Sequence, residues 1–119
     1  MYSARLLDHF QNPRHAGDVV GADGTAQIEN PVCGDTLRLS VKISSGRIAE
    51  VRFKAKGCVP AMACASALTE LVRGKTVDEA RTLDRDTIIA AVDGLPQAST
   101  HAAQLALDAL RAALSQTKP

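Results

Sequence analysis

Leu37-Arg38-Leu39-Ser40-Val41-Lys42-Ile43-Ser44-Ser45-Gly46-Arg47-Ile48-Ala49-Glu50-Val51-Arg52-Phe53-Lys54-Ala55 is the stretch from which the rest of the chain is read. Leu37, Leu39, Val41 and Ile43 alternate with Arg38, Ser40 and Lys42, the two-residue period of a half-buried strand. Ala49, Val51, Phe53 and Ala55 alternate with Glu50, Arg52 and Lys54 in the same way. Ser44-Ser45-Gly46 turns the chain between them, so the two strands pair as an antiparallel hairpin. The apolar face of that hairpin requires a cover. The other face carries Arg38, Lys42, Arg52, Lys54 and Lys56, either a solvated strand surface or a docking surface for an acidic partner.

Upstream, Thr25–Glu29 reads as a further strand ended by Asn30-Pro31, after a loop through Gly17, Gly21 and Gly24. Leu6, Leu7 and Phe10 make a short amphipathic helix that Asn12-Pro13 stops. His9 on that helix reads as a surface or half-buried residue, and His15 as a solvated loop residue.

Downstream, Pro60 suits a first helical position, and Ala61, Cys64, Ala65, Leu68, Leu71 and Val72 then share a face. Ser66, Thr69, Glu70 and Arg73 lie elsewhere on that helix, which Gly74 ends. Thr76-x-x-Glu79 is a capping box, and Asp84 caps a helix through Ile88, Ile89 and Val92, closed by Gly94 and Pro96. A last helix runs from about Ser99 to Ser115 with Leu107, Leu110 and Leu114 on one side. The tail Gln116–Pro119 is expected to fray. The expectation is one α+β domain over residues 1–119: a three-stranded antiparallel sheet packed in two layers against helices, with a helix first and a helical second half.

Composition narrows the function. The chain has 119 residues, 45% hydrophobic, with 14 Lys+Arg against 13 Asp+Glu and a net charge of +1. A basic nucleic-acid-binding face is not expected at that balance, and 3% aromatic residues leave no base-stacking platform. No apolar run spans a membrane, and the first ten residues lack a signal-peptide core, so a cytoplasmic location is expected. Three cysteines do not make a closed disulfide framework. No Ser–His–Asp order, phosphate loop or dinucleotide fingerprint appears, so a catalytic enzyme is not expected.

The chemistry-bearing residues gather at junctions between elements. Cys33-Gly34-Asp35 lies between the first two strands, Gly57-Cys58 between the hairpin and the helix at Pro60, and His101 in the first turn of the last helix. Loop ends held by a rigid sheet are where ligands are placed. A helix N-terminus favours a thiolate at Cys58. Two thiolates, an imidazole and a carboxylate form a four-ligand set for zinc or iron. Residue by residue a second reading stands beside this one: Cys33 as a loop thiol, Cys58 as packing under the hairpin, His101 as a helix-end surface residue.

A longer pattern bears on that choice. Tyr2-Ser3, Leu7-Asp8-His9-Phe10-Gln11-Asn12-Pro13-Arg14, Asn30-Pro31-Val32-Cys33-Gly34-Asp35, Gly57-Cys58, Leu68 through Ala80, Leu95-Pro96 and His101 follow one another in order and at matching spacing. In these blocks the chain resembles the U-type iron–sulfur cluster scaffold family, which includes IscU and the N-terminal domain of NifU. The resemblance implies a labile [2Fe–2S] cluster or iron held by Cys33, Asp35, Cys58 and His101. It implies as partners a cysteine desulfurase supplying sulfur and iron–sulfur acceptor proteins receiving the cluster. Two departures stand out. The family's third ligand cysteine, after the histidine, is here Ala102, and Cys64 reads as a core thiol; its other reading, as substitute ligand, needs the first helical turn to unwind. The segment read by an Hsp70-type chaperone, Leu-Pro-Pro-Val-Lys in the family, is Leu95-Pro96-Gln97-Ala98-Ser99, which argues against that partner. A zinc-binding sulfur-acceptor protein, and a degenerate scaffold that acts only as an interaction module, are the alternative functions.

Overall fold

The computed structural model describes residues 2–30 and 34–117. The order is α1 (Ala4–Gln11), β1 (Gly24–Asn30), β2 (Asp35–Ser44), β3 (Arg47–Lys56), α2 (Val59–Val72), α3 (Val77–Arg81), α4 (Arg85–Ala91) and α5 (His101–Ser115), with a 3-10 turn at Gln97–Ser99. The three strands form one antiparallel sheet in the order β1-β2-β3. This is the expected α+β arrangement.

Ser45 and Gly46 both have positive φ, +52° and +76°. That is the mirror-image hairpin turn whose twist matches the flanking strands. The alternation through β3 nevertheless differs from the expected one. Lys42 faces Glu50 while Ile43 faces Ile48, which leaves Ala49 as an extra residue in a bulge. Ala49 is therefore exposed, and Ile48 takes the core position.

The outer face of the sheet is not a bare basic surface. The segment from His15 to Asp23 crosses it. Gly17 N–H donates to the Phe53 carbonyl at 2.8 Å, and Asp23 N–H to the Val41 carbonyl at 2.8 Å. Between these anchors Asp18 pairs with Arg38 at 3.1 Å and with Lys54 at 2.8 Å, and Lys42 Nζ donates to the Gly21 carbonyl. Arg52 pairs with Glu50. Ser40 lies between Arg38 and Lys42 on this covered face and is buried.

On the inner face, α5 packs on β1 and β2 and α2 packs on β3. Leu37, Leu39, Val41, Val51 and Phe53 meet Leu68, Val72, Leu110 and Leu114 in the main core. The far side of α2 receives α1 and α4, and a second, smaller core forms from Leu6, Ala63, Ala67 and Val92. Helix α2 is thus buried on nearly all sides, and Ser66 and Thr69 are buried with it. That overturns the surface reading of His9. Its ring is buried, with Nδ1 2.8 Å from Ser66 Oγ and Nε2 3.4 Å from Glu70 Oε1. Ser66 Oγ also accepts the Arg14 N–H at 2.8 Å. His15 is likewise tethered, with φ +58° and Nδ1 3.0 Å from Thr69 Oγ1.

The caps follow the sequence. Ser3 caps α1, the Thr76–Glu79 capping box opens α3, and Asp84 caps α4. Of the tail expected to fray, Gln116 and Thr117 are tied down: Gln116 Oε1 accepts the Thr25 N–H, and Thr117 is buried; Lys118 and Pro119 lie outside the described residues. No helix among the described residues is long and apolar enough to cross a membrane.

Candidate metal centre

Three elements begin at one place. Asp35 opens β2, Cys58 is the residue before α2, and His101 opens α5. The sheet register brings the first two together: Asn30 faces Asp35 and Thr36 faces Lys56, so Gly57-Cys58 leaves the sheet beside Asp35. Packing of α5 across β1 and β2 delivers His101 to the same edge.

The ligand atoms of Asp35, Cys58 and His101 all lie within 4.8 Å of one another. Asp35 Oδ1 accepts the Cys58 N–H at 3.0 Å, and Oδ2 accepts the Cys58 thiol at 3.1 Å. His101 Nε2 is 3.7 Å from the same Oδ2. The carboxylate is buried while the thiol and the imidazole are half-buried. A buried carboxylate is stable only with donors or a cation against it. One oxygen, one sulfur and one nitrogen donor form a mixed set that suits iron or zinc. A groove of about 200 Å³ opens beside His101 between β1 and α5, lined by Ile28, Asn30, Gln104 and Leu105 among others.

Three of the four residues singled out from the sequence therefore converge. Cys33 lies outside the described residues. Cys64 does not join the cluster. It is fully buried in the main core, and burial, with the charge of Cys58 adding to it, pushes its thiol up to about 12. Ala102, next to His101, is also fully buried. Sequence reading missed the part played by Gly57, which sits against the Asp35 side chain. The only signal for it was a glycine immediately before a candidate ligand.

Comparison with known proteins fits this geometry. The profile of the family described as NifU-like N terminal domain matches residues 1–118. The chain belongs to that family. It is 44% identical over 114 residues to the iron–sulfur cluster assembly scaffold protein IscU 1 of Archaeoglobus fulgidus, covering 96% of this chain and 74% of that protein. It is 39% identical over 121 residues to the IscU scaffold protein of Escherichia coli, covering 98% and 94%. Among solved structures, the N-terminal part of a NifU-like protein from Brucella abortus superposes with a TM-score of 0.77 at 22% identity, over 96% of this chain and 92% of that one. That likeness concerns the fold alone.

Proposed function

We propose that this NifU-like domain is a non-enzymatic iron–sulfur cluster assembly scaffold or carrier, binding iron or a labile [2Fe–2S] cluster through Asp35, Cys58 and His101, with Cys33 as the fourth ligand. The observation that carries the reading is the convergence of a buried carboxylate, a thiol and an imidazole within 4.8 Å at the start of three elements. Family membership and the curated scaffold relatives support it.

The donor mixture matters for the role. Thiolates bind iron tightly, whereas a carboxylate and an imidazole are weaker and more exchangeable ligands. A carrier must give its cargo up, and two of the three donors here are half exposed and reachable by an acceptor's thiols. The proposed partners follow from that chemistry: a cysteine desulfurase as the sulfur source, and iron–sulfur apoproteins as receivers.

Anaerobic incubation with ferric iron and sulfide should give visible thiolate-to-iron charge-transfer absorption and bound iron, and Cys58→Ser should lose both. A colourless, iron-free wild-type product would overturn the proposal. Stoichiometric zinc in protein purified without added metal, with no iron uptake, would assign the site to zinc instead.

A further inference from the structure

Strands β2 and β3 run antiparallel with Thr36 opposite Lys56. One step further along both strands sets Asp35 opposite Gly57. Side chains on facing positions of a sheet normally stand side by side, with Cβ atoms about 4.5–5.5 Å apart. Here the Asp35 side chain folds over position 57 instead. A Cβ built on Gly57 would lie 2.1 Å from Asp35 Oδ1, 2.7 Å from its Cγ and 2.9 Å from its Cβ. Gly57 also has φ +149°, which L residues rarely adopt. Gly34, just before Asp35, makes an instructive contrast: its φ is +72°, yet among the described residues a Cβ there would meet nothing within 4 Å. At Gly34 glycine serves only the turn; at Gly57 the missing side chain is space that the carboxylate occupies.

From that seat Asp35 grips one residue at two points. Oδ1 takes the main-chain N–H of Cys58 and Oδ2 takes its thiol, with His101 Nε2 3.7 Å from Oδ2. We propose that Gly57 is the positioning residue of this site, the one whose absent Cβ sets the spacing between the Asp35 carboxylate and the Cys58 sulfur. That the spacing serves metal capture rests on the scaffold reading above; the steric relation itself does not. Gly57 touches no cargo. It acts through Asp35, so its effect must depend on the Asp35 side chain.

The test is a double-mutant cycle of Gly57→Ala and Asp35→Ala with two readouts. The first is Cys58 alkylation by iodoacetamide in metal-free protein, followed by peptide mass spectrometry so that Cys33 and Cys64 are counted separately. The second is Co²⁺ titration, read by thiolate-to-cobalt charge-transfer absorption. Gly57→Ala should raise the Cys58 alkylation rate to that of Asp35→Ala and weaken Co²⁺ binding by about 10–100-fold, the usual range for a lost supporting contact. Added to Asp35→Ala, it should change either readout by less than about twofold, because contacting residues do not act additively. Equal effects in both backgrounds would mean that backbone strain alone is at work and would overturn the proposal, as would no effect in either. Should Gly57→Ala fail to fold, Asp35→Ala must rescue the folded state, and an unfolded double variant would sink the idea. A wild type that ignores Co²⁺ would remove the metal reading and leave the alkylation cycle to decide on Gly57.

Discussion

Two imidazole–carboxylate pairs flank α2, and they are inverted in burial. In one, the His9 side chain is 5% exposed and Glu70 50% exposed, 3.4 Å apart. In the other, Asp35 is 3% exposed and His101 32% exposed, 3.7 Å apart. A buried ring beside a hydrated carboxylate is a settled arrangement. The ring stays neutral, Ser66 satisfies Nδ1, and the half-exposed acid also faces Arg14 Nε at 3.9 Å. A buried carboxylate beside a reachable ring and thiol is the reverse case. Its charge cannot be hydrated, so it leans on the Cys58 N–H and thiol and on His101, and a metal cation would answer it better. The same residue types thus make a structural brace in one place and the proposed metal site in the other, and the two differ in which group is buried.

Exchanging the two histidines should break the symmetry most sharply. His101→Ala is expected to lower iron loading about tenfold or more, within the range for weakened metal sites, with little change in Tm. His9→Ala should do the opposite. It takes one of two partners from the Ser66 hydroxyl and empties the space of a buried ring, and should destabilise by about 2–4 kcal/mol with loading per folded molecule unchanged. Parallel denaturant titrations and iron analyses check this. A loss of iron in His9→Ala at full folding would mean that the two regions are not separable.

A milder break is Ser66→Ala. It strands the Arg14 N–H and the His9 ring nitrogen, two partners on α1 and the segment after it. The expected loss is about 1–3 kcal/mol, the usual penalty for orphaned buried polar groups, read as a lower denaturant midpoint.

The brace should also be pH-sensitive. Burial holds the His9 pKa below its ordinary 6.5, with Arg14 adding to the effect, although Glu70 and Asp8 oppose it. Burial and Arg73 hold His15 down as well. The unfolded chain therefore binds these protons first as pH falls. Stability present at neutral pH should decline as pH drops through 6.5 and level off below the lowered folded values. Thermal melts across this window test it: His9→Ala should flatten the slope. A slope unchanged in that variant would take the effect away from His9.

Much of this was legible in advance, and the gaps have physical causes. Strands β2 and β3 were legible because Leu37 to Ile43 and Val51 to Ala55 alternate cleanly. The bulge at Ala49 was not, because alanine fits either face and the in-phase pattern hides one extra residue. His9 was misread because burial of a residue on α1 depends on what α2 offers. The clue was Ser66 and Thr69 on a helix otherwise made of alanine and aliphatic residues. Asp35, Cys58 and His101 stood out because each opens or precedes an element, a property visible in sequence. The role of Gly57 was invisible, since it needs the register that sets it across from Asp35.

The two described cysteines offer the finest comparison. Cys58 is half-buried at an element boundary, whereas Cys64 sits six residues later, wholly inside the core. With its thiol pushed up to about 12, Cys64 stays protonated at pH 8 and behaves as a small apolar side chain. Iodoacetamide at that pH should label Cys58 and spare Cys64 in the folded protein. Cys64→Ala removes one buried sulfur and should cost only about 1 kcal/mol, at the small end of core truncations, with iron loading intact. If that variant instead loses its iron, Cys64 supplies the ligand that Ala102 cannot. The first turn of α2 would then have to open on loading, because neither its burial nor its place in the folded helix lets the sulfur reach Asp35 and His101 otherwise.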